Sequence, residues 1–201
     1  MQQGDKMEAL TDLFKRFPGI GQRQAERFSR FIAASSGEYV QHLATTIVEA
    51  NQVSKQCPDC FVSHESESEL CEICSSRTAE TIIVVEKDAD VAALELSAGL
   101  AKDAHYFVLG NLLPIIKDQG RDIRINDLGR VVQKKNPKEV LIALSAHPDA
   151  DHTGRYVSGY LKETHPDVAV SVLGRGLSNG SEIEYLDPNT LSEAFKGRVA
   201  L

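Results

Sequence analysis

The chain has 201 residues, enough for one large domain or two small ones with real cores. It carries 22 Lys and Arg against 29 Asp and Glu, a formal net charge of −7, which excludes a protein that is basic all over but leaves room for local cationic patches. No apolar run approaches the roughly 18 residues of a membrane helix. The start Met1-Gln2-Gln3-Gly4-Asp5-Lys6 lacks the basic-then-apolar texture of a secretory signal, so the cytoplasm is the expected location.

Residues 1–8 read as a loose tail. From Leu10 the spacing Leu10, Leu13, Phe14, Phe17 is helical and stops at Pro18-Gly19. Gln22 to Ala34 places Ala25, Phe28 and Ile32 on one face of a second helix, which Ser35-Ser36-Gly37 ends. A third helix is expected from Tyr39 to about Val53. The four cysteines follow, and then the texture changes. Thr81 to Glu86 reads as a buried strand ending in a carboxylate, Asp90 to Leu96 as a helix, and His105 to Leu109 as a strand ending at Gly110. Further strands are expected at Glu139 to Leu144 and Val168 to Leu173, with a helix between them starting near Thr153. This β-α-β-β-α-β order predicts an α/β fold with a mostly parallel, covered sheet. Four parts follow: 1–54 helical, 55–78 the cysteine segment, 79–173 the sheet domain, and 174–201 a C-terminal arm.

The strongest chemical signal is Cys57-Pro58-Asp59-Cys60 followed by Cys71-Glu72-Ile73-Cys74. Two such knuckles bring four thiolates to one point and complete the tetrahedral sulfur shell that zinc prefers. A disulfide framework would instead spread its pairs through the chain. Iron of the rubredoxin kind uses the same four ligands and is the main rival. A closed sulfur shell leaves no open position, so the role is structural. The intervening Phe61 to Leu70 is polar and without strand pattern, and His64 reads as a loop residue.

Phe17-Pro18-Gly19-Ile20-Gly21, between two helical stretches, is the second signal. Its glycines permit a tight turn whose backbone N–H groups face outward, next to the positive end of a helix. Arg16 precedes it, and Arg23 and Arg27 lie one turn apart beyond it. The pattern resembles a helix-hairpin-helix, a sequence-independent grip on nucleic acid; the plain alternative is a helical connection with a solvated basic face.

Carboxylates at strand ends make the third. Glu86 closes one strand, and Asp149 and Asp151 follow another, flanked by His147 and His152. Strand C-terminal ends cluster in parallel sheets, so the three could meet and hold a hard cation such as magnesium. This resembles the Toprim arrangement of topoisomerases, primases and some nucleases; the plain alternative is a solvated acidic loop. No Gly-x-x-x-x-Gly-Lys-Ser/Thr stretch is present, which speaks against P-loop nucleotide hydrolysis. Gly174 to Gly180 reads as a flexible connection.

The order of these parts, with the ending Arg175-Gly176-Leu177 … Glu184-Tyr185-Leu186-Asp187 … Thr190-Leu191 … Gly197-Arg198, resembles the bacterial RecR family over nearly the whole chain. The resemblance implies a recombination mediator acting in DNA repair with RecO and RecF to place RecA on single strands. It implies a homo-oligomeric ring, dimer or tetramer, that encircles single- or double-stranded DNA, with Gly19, Gly21, Arg16, Arg23 and Arg27 at the DNA. It also implies partner binding at Glu86, Asp149 and Asp151, one structural zinc on Cys57, Cys60, Cys71 and Cys74, and no catalysis. Asp149-Ala150-Asp151-His152-Thr153 departs from the family's usual Glu-Gly-Glu-Ala-Thr, and Leu112 to Arg121 lacks its glycine-rich loop. The competing reading is a magnesium-dependent Toprim nuclease or primase. In that reading Tyr156 and Tyr160, at helical spacing, fit packing better than nucleophilic attack.

Overall fold

The computed structural model describes residues 3–97, 100–116, 122–177 and 180–198, and the chain divides into two compact units, Met1–Ser54 and Lys55–Leu201. In the first unit, α1 (Gln3–Lys15) and α2 (Gln22–Ala34) form a helical hairpin, and α3 (Gly37–Val53) follows. From Gln3 on, the expected N-terminal tail is instead the first turns of α1, because Met7-Glu8-Ala9-Leu10 are strong helix formers and carry the helix back toward the start; residues 1–2 lie outside the described residues. The α1–α2 seam combines small buried residues with an edge-on contact of Phe14 and Phe28 at 5.6 Å. Ala25 and Ser29 are buried, Thr11 Oγ1 donates to Ser29 Oγ at 2.8 Å, and Ser29 donates on to the Ala25 carbonyl at 3.0 Å. Ser36 caps α3 by accepting from the Tyr39 amide, yet α3 has no buried residue.

The second unit begins with a two-residue antiparallel pair, β1 (Lys55–Gln56) and β2 (Ser63–His64), and a short helix α4 (Glu72–Ser76). The segment after Cys60, read as strandless, therefore carries β2. The sheet is formed by β3 (Thr81–Val85), β4 (His105–Val108), β5 (Glu139–Ile142) and β6 (Ala169–Val172), in the order β4-β3-β5-β6, with every pairing parallel. A helix connects each strand to the next in sequence: α5 (Asp88–Glu95), α6 (Ile125–Lys135) and α7 (Pro148–Thr164). The expected β-α-β-β-α-β order is corrected to β-α-β-α-β-α-β. Ile125, Leu128, Val131 and Val132 mark α6 at helical spacing, and all but Ile125 are buried.

One face of the sheet packs Ile82, Val84, Phe107, Val140 and Ile142 against Leu128, Val131 and Val132 of α6 and Val157 and Leu161 of α7. The other packs Ile83, Val85, Tyr106 and Val108 against Val91 of α5, with Val62 and Ile73 of the cysteine segment alongside. Fully buried parallel strands read as continuous apolar runs, which is why Thr81–Val85 was legible without alternation.

The arm also holds structure that the sequence reading left out. A helix α8 (Pro188–Lys196) starts where the Asp187 carboxylate accepts from the Asn189 and Thr190 amides at 2.9 and 3.0 Å. Of the Gly174 to Gly180 connection, 178–179 lie outside the described residues, as do 117–121 of the Leu112 to Arg121 stretch, which lacks the family's glycine-rich loop.

Because Leu128 is fully buried against β3, β4 and β5, Leu128→Ala should lower unfolding free energy by about 2–5 kcal/mol. Urea titration followed by far-UV circular dichroism measures it. A loss under about 1 kcal/mol would show that α6 is not part of this core.

Candidate metal centre and nucleic-acid interface

Cys57, Cys60, Cys71 and Cys74 are all buried, and their sulfurs lie within 4.8 Å of one another. No other group of three or more His, Cys, Asp or Glu among the described residues meets that condition. Local backbone geometry builds each knuckle. The Phe61 amide donates to the Cys57 carbonyl at 2.9 Å, the Cys57 amide to the Val62 carbonyl at 3.0 Å, and the Cys74 amide to Cys71 Sγ at 3.4 Å. The thiols share protons unevenly. The hydrogen bond with Cys71 pushes Cys60 far up, and that same bond is the largest cause holding Cys71 far below the ordinary thiol range. Four buried sulfurs in this state fit a cation, which would let all four be thiolates. His64 stands outside the group, with Nδ1 2.7 Å from Ser66 Oγ and Nε2 3.2 Å from the Glu69 carbonyl oxygen.

The cysteine segment is seated on the sheet. The Val108 amide donates to the Cys60 carbonyl at 2.8 Å, so the first knuckle bonds to edge strand β4. Phe61 takes a left-handed backbone (φ 62°), a cost of about 1–2 kcal/mol for a residue with a Cβ. Its ring packs edge-on to Phe107 at 5.5 Å and lies under the Arg124 guanidinium at 4.7 Å. Arg124 donates to the Val108 carbonyl and passes so close to Gly110 (φ 87°) that a Cβ there would lie 2.6 Å from it. Asp59, between the first two cysteines and only 7% exposed, accepts from Lys134 Nζ at 2.7 and 2.9 Å and pairs with Lys135 at 3.7 Å. From the second knuckle, Arg77 forks onto Glu95 at 2.9 and 2.6 Å, and Tyr106 Oη donates to that carboxylate at 2.6 Å. None of Asp59, Phe61, Arg77 or Arg124 was singled out from sequence, since their partners are remote in the chain.

In the hairpin, Phe17-Pro18-Gly19-Ile20 is a turn closed by the Ile20 amide on the Phe17 carbonyl at 3.1 Å. Gly19 at its third position has φ 77°, which suits glycine. Gly21 starts α2 without any side-chain cap, and nothing lies within 4 Å of a Cβ built on Gly19 or Gly21. The first amides of α2 are thus open to an anion. Arg16, Arg23 and Arg27 are exposed, and none is in an ion pair among the described residues. Arg23 and Arg27, four apart on α2, share a face.

The acidic residues sit at the C-terminal ends of β3 and β5, where the strand order reverses. The helix expected near Thr153 begins at Pro148, because His147 caps it and proline suits a first helical position. Asp149 and Asp151 are therefore in the first turn of α7 rather than in a loop. Asp151 is gripped by both guanidinium nitrogens of Arg175, whose hydrogen bonds hold its carboxyl below the usual range. Asp149 Oδ1 accepts from the Ile115 amide at 3.1 Å. The Glu86 carboxylate has no hydrogen bond or ion pair among the described residues, and the three carboxylates do not form a mutual cluster. Tyr160 packs against the core and against Gly129, whereas Tyr156 is half exposed.

Comparison with known proteins agrees with this arrangement. Residues 81–173 match the Toprim domain and residues 176–199 the C-terminal region of RecR. Recombination protein RecR of Synechococcus sp. (strain WH7803) is 36% identical over 96% of this chain and 94% of its own length. That of Lacticaseibacillus casei (strain BL23) is 34% identical over the full length of both. The chain belongs to the RecR family. In this RecR-family chain the Toprim match spans β3 to just past β6, and the C-terminal match spans α8. RecR of Lactobacillus acidophilus, 33% identical over 96% of each chain, extends the same likeness. No helix among the described residues is long and apolar enough to cross a membrane.

Cys60→Ser should reduce bound metal from about one ion per chain toward none and lower the thermal midpoint, because metal binding free energy is folding free energy here. Elemental analysis with calorimetry tests this. Metal-free parent protein with an unchanged midpoint would contradict the assignment.

Proposed function

We propose that this chain is a DNA-binding mediator of recombinational repair, an adaptor rather than an enzyme. It grips single- and double-stranded DNA through the hairpin with Arg16, Gly19, Gly21, Arg23 and Arg27. It docks RecO and RecF-type proteins at the edge carrying Glu86, Asp149 and Asp151, and helps load RecA on single strands. The observation that carries this reading is the end-to-end similarity to RecR proteins. The open α2 amides and unpaired arginines support the grip. A structural zinc on the four cysteines, a cytoplasmic, nucleoid-associated location, and parts at 1–54, 55–78, 79–173 and 174–201 complete the proposal.

The protein works as a ring of two or four copies. Exposed apolar side chains support this: Leu13, Phe17, Phe31, Ile47 and Val48 in the first unit, and Ile183, Tyr185 and Phe195 in the arm. The adaptor reading is favoured over magnesium catalysis because Asp151 is already tied to Arg175 and Asp149 to the Ile115 amide.

Arg23→Ala with Arg27→Ala should weaken DNA binding similarly for all sequences and flatten its dependence on salt by about 2 units in the log–log slope. Fluorescence anisotropy between 50 and 200 mM salt, values chosen to span the steep range, measures both. Parent-like affinity at the upper end would remove the hairpin as the grip. Magnesium-dependent cleavage of the labelled strand by the parent would replace the adaptor with an enzyme.

A further inference from the structure

The segment after β4 leaves the sheet at Gly110, whose amide donates to the Glu86 carbonyl at 2.9 Å. It then runs through Leu112, Leu113 and Pro114, all half-buried, to Ile115 and Ile116, which are 53% and 80% exposed. Side chains of the first turns of α7 fix its course. Thr153 Oγ1, fully buried, accepts from the Leu113 amide at 2.8 Å and donates to the Asp149 carbonyl at 2.7 Å. Asp149 Oδ1 accepts from the Ile115 amide at 3.1 Å. Two side chains thus hold alternate backbone amides of one loop, and the outcome is a pair of adjacent isoleucines held out in water. Single exposed apolar residues are ordinary, but an adjacent pair beside a loop held by side-chain hydrogen bonds suits a contact surface.

We infer that Asp149 is a positioning residue that holds residues 111–116 so that Ile115 and Ile116 enter an apolar pocket with a cationic rim on a partner protein. This rests on the reading that partners dock at the acidic edge. Charge complementarity sets the occupant. Glu86, without an ion pair among the described residues, stands at the end of β3 where the loop departs, and the Asp149 side chain is 34% exposed beside the isoleucines. A basic rim is steered chiefly by Glu86, and the isoleucines supply the desolvated centre of the contact. Asp151 contributes little, because Arg175 already neutralises it.

The test measures binding of purified RecO from the same organism by titration calorimetry, and amide hydrogen exchange at Ile115. Ile115→Ser with Ile116→Ser alters exposed side chains only, so the thermal midpoint should hold while RecO affinity falls roughly 30-fold or more. Asp149→Ala should cause a comparable loss and faster exchange at Ile115. Asp149→Asn keeps an acceptor for the Ile115 amide without the charge, so it should keep Ile115 protected and rescue most of the affinity. Parent-like affinity in the double serine variant overturns the apolar contact. Equal losses in Asp149→Asn and Asp149→Ala, with Ile115 still protected in the former, overturn positioning in favour of direct charge. Unchanged Ile115 exchange in Asp149→Ala overturns the pinning whatever RecO does. A parent that does not bind RecO overturns the docking reading itself, and the isoleucine contact with it.

Discussion

Four thiols buried within reach of one another cannot be left to themselves, and much of the second unit is arranged around that fact. Thiolates crowded in an apolar setting repel, and thiols there make poor hydrogen bonds, so a bound cation would satisfy them. Once the knuckles are tied, the Cys60 carbonyl can receive the Val108 amide on edge strand β4. Exposed strand edges invite pairing with other chains, and covering an edge is one way proteins prevent it. The same tie fixes Phe61 in its left-handed conformation and sets its ring against Phe107 and under Arg124.

The four-cysteine cluster is linked to the helices by charge. Asp59 lies between two of the cysteines and draws Lys134 and Lys135 from the end of α6, while Arg77 after α4 grips Glu95 of α5. Partly buried ion pairs gain little net stability, since desolvation offsets attraction, but removing one partner leaves the other charge poorly compensated. These pairs therefore act to fix how the cysteine segment lies on the sheet. A metal held by all four sulfurs would have no open coordination position, and would order the surface around it.

The two proposed binding regions differ in how they are built. The hairpin offers backbone amides and flexible, unpaired arginines, which suits a ligand of repeating phosphates and no fixed sequence. The acidic edge is more constrained, because two of its three carboxylates already have partners within the chain. Asp151 is bound to Arg175 at the start of the 174–201 segment, so that segment and the start of α7 are joined by an ion pair. Substituting either aspartate changes more than net charge.

Features carried by short-range patterns could be read from the chain alone: the cysteine spacing, the Pro18-Gly19 turn, the apolar strand runs and the signature after Arg175. Each depends on residues a few positions apart, where local geometry dictates the outcome. α6 and α8 carry equally local signals, with Leu128, Val131 and Val132 at helical spacing and Asp187-Pro188 as a start signal. Other features required the fold. That Phe61 meets Phe107, that Asp59 meets Lys134, and that Asp149 holds the Ile115 amide depend on pairs far apart in sequence, brought together by a parallel sheet that places distant segments side by side. The sequence supplied the acidic residues; the tertiary structure decided which of them are free, because a carboxylate's availability is set by the neighbours that folding brings within hydrogen-bonding distance.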